Sequence, residues 1–171
     1  MTITYNSSRG LRFSSERRTR ETLAAGSLVV ALHDHWLSIC PEGLLPARRH
    51  FDPARLSRRI LPWVFLLDVL KGADGPDYRF RLVGTANARL VGRDATGRLA
   101  SEIFGSEDRQ VVMDAYDTTV AEAQPTFWLA TVPHERLDSV GVERGFFPLA
   151  DDGRRVDQMI GIAVPTGDGQ G

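Results

Sequence analysis

The chain of 171 residues is long enough for one globular domain with a buried core, and its formal net charge at pH 7 is only −1. A composition of 42% hydrophobic and 25% charged residues excludes a disordered or fibrous protein. Because the chain carries no net positive field, we expect neither nucleic acid nor a membrane as a partner. The single cysteine, Cys40, excludes an intrachain disulfide and predicts a reducing, cytoplasmic compartment.

The N-terminal part predicts a tail followed by a helix. Residues 1–22 are polar and arginine-rich, and we expect them to form a flexible tail. A helix is predicted over residues 23–40, because Leu28, Leu32 and Trp36 recur at helical spacing and make an apolar stripe. Arginines precede this apolar run as in a secretory signal, but no small-residue cleavage site follows it. The run is also too short to span a bilayer.

Two strands joined by a tight turn come next. Residues 63–70 are rich in β-branched and aromatic side chains and predict a strand, and a turn at 72–76 leads into a second strand at 77–84. Its alternation places three side chains on the core face: Tyr78, Phe80 and Leu82. Arg81 is expected on the opposite face, paired with an acid or against a covering helix. Before these strands, Asp52-Pro53 suits the start of a short helix.

The second half of the chain predicts a long helix and three more strands. Residues 106–124 have the clearest helical period. The strands are predicted at 127–132, at 137–149 with a bulge near Gly145, and at 155–164. The element order therefore predicts an α+β fold, a five-stranded antiparallel sheet with helices packed on one face, preceded by the N-terminal helix. A single domain would cover residues 23–165, with flexible tails at 1–22 and 166–171.

Sequence motifs that indicate catalysis or a bound metal are absent. There is no phosphate-binding glycine loop and no nucleophile elbow. His33 and His35 lie two residues apart on the predicted helix, where such positions do not face each other, so a shared metal is not expected. Cys40 has no neighbouring cation in the sequence that would activate its thiol, which favours a packing role. We therefore predict no catalytic residue and no metal site.

Several short motifs lie in a characteristic order along the chain. They are His35-Trp36, Leu45-Pro46-Ala47-Arg48, Asp52-Pro53, Leu61-Pro62, Tyr78-x-Phe80-Arg81-Leu82-Val83-Gly84-Thr85 and Gly92-Arg93-Asp94-x-Thr96-Gly97-Arg98. Together they resemble a bacterial family of short PAS-domain proteins, over residues 28–164. The resemblance implies a five-stranded antiparallel PAS sheet with helices across one face, and a role in sensing or protein–protein regulation. The motifs of this family assign no ligand and no catalytic residue.

The resemblance also bears on cofactors and output. PAS domains hold haem, flavin, small acids or nothing between sheet and helices. The photoactive flavin type would need a cysteine in the central helical block, and Cys40 lies outside that block. No cofactor is predicted, and we expect the purified protein to be colourless. Few residues follow the last predicted strand, so we expect a stand-alone module that signals through a protein partner or through its own dimer.

A bound small molecule is expected between the sheet and the helix at 106–124. Its candidate neighbours are Tyr116, Phe127 or Trp128, and Gly161, which leaves room in the last strand. Gly161→Leu is therefore predicted to weaken binding. Two other functions stay open. One is a small enzyme without metal on a cone-shaped, isomerase-like scaffold, which needs an acid–base pair facing the cavity. The other is a ligand-free interaction adaptor with a filled core.

The apolar stripe of the N-terminal helix predicts a homodimer. An isolated amphipathic helix must bury its apolar face, and we expect Leu28, Leu32 and Trp36 at or beside an interface between two copies. The alternative is that this helix covers the second face of its own sheet in a monomer.

Overall fold

The computed structural model describes residues 2–6, 12–72, 75–104, 106–132 and 140–167. The described residues form one antiparallel sheet of seven strands and four α-helices. The strands are β1 Thr2–Asn6, β2 Arg12–Arg18, β3 Val64–Gly72, β4 Gly75–Val83, β5 Thr126–Val132, β6 Val140–Leu149 and β7 Gln158–Pro165. The helices are α1 Leu28–Ser38, α2 Thr85–Val91, α3 Ala100–Ile103 and α4 Ser106–Glu122.

The strand order is β1-β2-β5-β6-β7-β3-β4, and every neighbouring pair is antiparallel. This confirms the predicted α+β class, and all five predicted strands belong to the sheet. The expected flexible tail at residues 1–22 needs correction, because β1 and β2 lie within it and β2 pairs with β5, Ser14 opposite Thr131. Strand β2 is held by backbone hydrogen bonds to both β1 and β5, which form whatever the side chains are, so its polar sequence shows no apolar alternation from which it could be predicted.

The sheet buries an apolar cluster on each of its faces. The inner cluster lies under α3 and α4 and contains Phe65, Tyr78, Tyr116 and Phe146 among others. The outer cluster contains Phe147, next in sequence to Phe146, together with the buried side of α1. Because successive residues of a strand point to opposite faces, α1 and α4 cover opposite sides of the same sheet.

Helix α1 packs its apolar stripe against the outer face of its own sheet. The helix is shorter than the predicted 23–40, because Ser27 caps it by accepting a hydrogen bond from the backbone N–H of Val29. Leu32 is fully buried, and the indole N–H of Trp36 donates to the carbonyl of Pro148 at 2.9 Å. Helix α1 thus covers the outer face of its own sheet, where the predicted interface residues Leu32 and Trp36 are enclosed within the chain.

Strand β4 departs from the predicted alternation at one residue. Leu66 pairs with Leu82 and Leu67 with Phe80, so Arg81 is an extra residue that forms a bulge. The prediction that Leu82 faces the core is therefore wrong, and this side chain is 51% exposed. Arg81 is paired with an acid, as one of the two predictions had it, since its Nε lies 3.0 Å from both carboxylate oxygens of Asp68.

The bulge predicted near Gly145 is absent, because β5 and β6 pair in continuous register from Thr126–Phe146 to Val132–Val140. Gly145 instead allows helix α1 to pack closely against β6. A Cβ at this position would lie 2.6 Å from Cγ1 of Val29, so only glycine lets α1 approach the sheet this closely. The predicted start of the strand at residues 137–139 lies outside the described residues, as do residues 168–171 of the predicted C-terminal tail.

Candidate functional site

A cavity of about 220 Å³ lies between the inner face of the sheet and the helices that cover it. Its roof comes from α2, the end of α3 and α4, with Leu90, Phe104 and Val112 among the lining residues. Its floor comes from β3 to β7 and includes Ser14 of β2. Two of the floor positions carry only a methyl group, Ala130 in β5 and Ala163 in β7, and these small side chains leave the space that larger residues would fill.

The lining of the cavity is mainly aliphatic and aromatic, and it reaches the surface at one end. Phe65, Phe80 and Ile103 belong to the buried inner cluster and also line the cavity. Val91, which is 43% exposed, and the exposed Arg93 line it as well. The cavity therefore opens beside the end of α2, where Gly92 terminates the helix in the left-handed conformation with φ 77°.

Arg144 is the buried charged residue of this cavity. It lies in β6 between Val142 and Phe146 on the inner face, and it is 7% exposed. The carbon of its guanidinium lies 4.8 Å from the ring centroid of Phe146 and 5.9 Å from that of Tyr116. Burial lowers the pKa of Arg144, while the neighbouring Tyr116 acts in the opposite direction. The guanidinium is thus a buried cation held against two aromatic rings.

Sequence reasoning did not single out Arg144. The sequence pattern could have indicated this residue. Strict alternation in the strand places Val142, Arg144 and Phe146 on one face, and two of these three residues are apolar. An arginine at a core-facing position is exceptional, since charged side chains are rarely buried.

The four candidate lining residues do not all meet at the cavity. Tyr116 lines it. Trp128 belongs to the inner cluster, but its indole N–H donates to the hydroxyl of Thr126 at 3.0 Å and it does not line the cavity. Phe127 points to the outer face, where it packs edge-on against His33 with ring centroids 5.3 Å apart. The space beside Gly161 is filled by the ring of Phe65.

A second polar pair on the inner face stabilises the covering helix. The hydroxyl of Tyr78 donates to Asp117 of α4 at 2.5 Å. Burial raises the pKa of Tyr78, and so does this hydrogen bond; burial also raises the pKa of Asp117. Neither residue lines the cavity, so the pair ties α4 to β4 rather than facing a ligand.

The cysteine and the described histidines lie away from the cavity. Cys40 belongs to the outer cluster, its Sγ lies 3.3 Å from the carbonyl oxygen of Trp36, and burial raises the pKa of its thiol. His33 and His35 belong to α1 on the outer face, and His50 accepts a hydrogen bond from the backbone of Ala47. A thiol adduct in the cavity therefore cannot come from Cys40, and none of the described histidines is placed to bind haem iron there.

His33 joins the N-terminal segment to α1. It is 9% exposed, and its Nδ1 accepts a hydrogen bond from Nε of Arg20 at 3.2 Å, so the imidazole is neutral. Burial lowers the pKa of His33 below its ordinary value of 6.5, and Arg20 lowers it further, against a smaller opposing effect of Asp34 and Glu21. Protonation of His33 at Nδ1 would remove the acceptor of this hydrogen bond and place a charged imidazole beside the guanidinium of Arg20.

We expect the protein to lose stability as the pH falls below about 6.5. In that range the unfolded chain binds a proton at His33 before the folded chain does, so protonation favours unfolding. Thermal melts between pH 8 and pH 5 measure the effect. His33→Asn keeps an acceptor for Arg20 without a titratable ring and should flatten the dependence of the melting temperature on pH. An unchanged slope in this variant would contradict the assignment.

The comparisons with known proteins agree with this architecture. The sequence profile described as PAS domain matches residues 27–164. Comparison with curated proteins found no match.

Three similar solved structures contain light-oxygen-voltage domains. An RNA-binding light-oxygen-voltage receptor is 15% identical with a TM-score of 0.50, and the match covers 90% of this chain and 38% of that one. A fungal light-oxygen-voltage photoreceptor is 13% identical with a TM-score of 0.46, covering 80% and 91%. A light-oxygen-voltage domain studied with a flavin analogue is 12% identical with a TM-score of 0.43, covering 63% and 78%.

The likeness to the RNA-binding receptor concerns the fold alone, because the sequence identity is low. In the described part of the chain, no helix is long and apolar enough to cross a membrane. The family match covers most of the chain, including all four helices, strands β3 to β6, and β7 up to residue 164. The chain therefore belongs to the PAS-domain family.

Proposed function

We propose that this chain is a sensory or regulatory PAS module that binds a small molecule in the cavity between its sheet and helices α2 to α4. This proposal rests on the cavity itself, which is about 220 Å³ in volume, largely apolar and open to the surface at one end. Concave apolar sites with a few convergent polar groups are the usual form of small-molecule sites. This cavity has that form, with Arg144 and Asn87 as buried polar groups in its lining.

The short roof helices supply a way to pass on the signal. Helix α2 has seven residues and α3 has four, lengths at which a helix has little stability of its own and depends on its packing. A ligand that contacts Leu90 and Phe104 would add to that packing and so order the roof. A protein partner that binds the outer surface of these roof helices would then distinguish the ligand-bound from the ligand-free state.

A catalytic role is not supported by the lining. Among the described residues that line the cavity, the titratable side chains are Arg93, Tyr116 and Arg144. An isomerase-like enzyme needs an acid–base pair facing its substrate, and Arg and Tyr remain protonated near neutral pH. We therefore propose a binding function without catalysis.

The homodimer remains a prediction for this module. Its contacts would have to come from exposed residues, such as Leu37 of α1, which is 51% exposed, since Leu32 and Trp36 are enclosed within the chain. Sedimentation velocity of the full chain at high micromolar concentration measures the state of association directly.

Filling the cavity is expected to abolish ligand binding without unfolding the protein. Ala163→Leu adds a branched side chain to the floor of the cavity, next to Arg144 in the strand pairing. Native mass spectrometry of the purified wild-type protein should give a mass above that of the polypeptide, and denaturation should remove the difference. In Ala163→Leu the bound fraction should fall at least tenfold, while the melting temperature stays the same or rises, as cavity-filling changes commonly do.

The control variant is Ala121→Leu, the same substitution at an exposed position of α4. It should bind as the wild type does. Equal native and denatured masses in the wild type, together with no response to added small molecules, would contradict the proposal and favour the ligand-free adaptor.

A further inference from the structure

We infer that the cavity selects a small monocarboxylate, whose anionic group binds the guanidinium of Arg144 and whose apolar part fills the remaining space. This inference rests on the proposed function of the cavity as a ligand site. It follows from the burial of one cation, from the composition of the surrounding walls and from the size of the space.

The burial of Arg144 requires compensation. Removing a charged group from water costs several kcal/mol unless an opposite charge or hydrogen bonds replace the solvent. Among the described residues, no carboxylate lies within 4 Å of the Arg144 guanidinium. The arginines that form ion pairs in the described part of the chain are Arg17, Arg18, Arg20, Arg55, Arg81 and Arg98. The rings of Tyr116 and Phe146 compensate in part through cation–π contacts.

An anionic ligand would complete this compensation. Arginine presents a planar set of N–H donors that matches a carboxylate in two parallel hydrogen bonds. Because Arg144 lines the cavity while 93% of its surface is covered, such a pair would form out of water, where it is stronger than at the surface. A single buried cation balances a single negative charge, which favours a carboxylate over a phosphate group with its second charge.

The other walls specify the rest of the ligand. Phe65, Phe80, Ile103 and Val142 line the cavity with apolar surface, so the body of the ligand should be aromatic or aliphatic. An apolar cavity of about 150 Å³ is large enough for benzene. A cavity of about 220 Å³ therefore suits one ring, or a short alkyl chain, together with a carboxylate.

The test compares acids with neutral molecules of the same shape. The probes are phenylacetate and hexanoate, each paired with its amide, and binding is measured by thermal shift and isothermal titration calorimetry on the full chain. We expect the acids to bind the wild type at least tenfold more tightly than the amides. Arg144→Met, which keeps an unbranched apolar side chain but removes the guanidinium and its charge, should lower the affinity for the acids by about tenfold to a hundredfold. Arg144→Lys should restore part of this affinity.

The possible results separate the inference from the proposed function. If the amides bind as tightly as the acids, or if Arg144→Met binds the acids as well as the wild type does, the carboxylate inference is overturned while the cavity remains a binding site. If neither acids nor amides bind the wild type, both proposals fail. If Arg144→Met does not fold, the comparison of acid with amide on the wild type still tests the carboxylate inference, because it needs no variant.

Discussion

Replacing Trp36 by alanine is expected to lower the free energy of unfolding by about 3–5 kcal/mol, the usual range for loss of a buried tryptophan. Trp36 is 5% exposed, and its ring packs near Phe147 with centroids 6.4 Å apart. Its indole N–H also donates to the carbonyl of Pro148, which would lose its partner. Urea unfolding followed by circular dichroism measures the change.

The matched control is Leu37→Ala, the next residue of the same helix. Leu37 is 51% exposed, so its truncation should change stability by less than about 0.5 kcal/mol. Together the two variants distinguish the two predicted roles of α1. If Trp36→Ala kept its full stability and instead converted a dimer into monomers in sedimentation velocity, the stripe of α1 would be an interface after all.

Gly161→Leu is expected to destabilise the fold by about 1–3 kcal/mol or more, as overpacking of a core does. Gly161 pairs with Phe65 across β7 and β3, and the ring of Phe65 covers the glycine so closely that even a Cβ would overlap with ring carbons. A leucine at this position would push the ring of Phe65 towards the cavity that it helps to line. Weaker ligand binding, as predicted from the sequence, would then accompany a loss of stability.

Ala163→Leu provides the comparison for Gly161→Leu, because it introduces the same side chain two residues further along the same strand and on the same face. Ala163 faces the cavity, whereas Gly161 faces the ring of Phe65. The melting temperatures should therefore separate, with Gly161→Leu well below the wild type and Ala163→Leu at or above it. A Gly161→Leu protein that melts like the wild type but no longer binds ligand would mean that open space lies beside this glycine.

Local patterns account for the parts of the fold that were predicted correctly. Helix α4 was predicted because its period persists over many residues, and the hairpin of β3 and β4 because its turn residues are adjacent in sequence. The side chain of Asp52 accepts a hydrogen bond from the backbone of Ala54 at 3.0 Å, although the helix it begins is a single 3₁₀ turn, Pro53–Arg55. Each of these features depends on neighbours within a few positions.

The sequence by itself determined the α+β class, the helix α4, the strands β3 to β7 and the family, since these follow from local periodicity and short motifs. Only the tertiary structure decided the rest. The polar strand β2 exists because β5, more than a hundred residues later in the chain, supplies its hydrogen-bond partners. The bulge at Arg81 depends on the register with β3, and it reverses the direction of Leu82. Arg144 became a candidate ligand-binding residue for the same reason, because a cavity is made by elements that are distant in sequence and meet only in the folded chain.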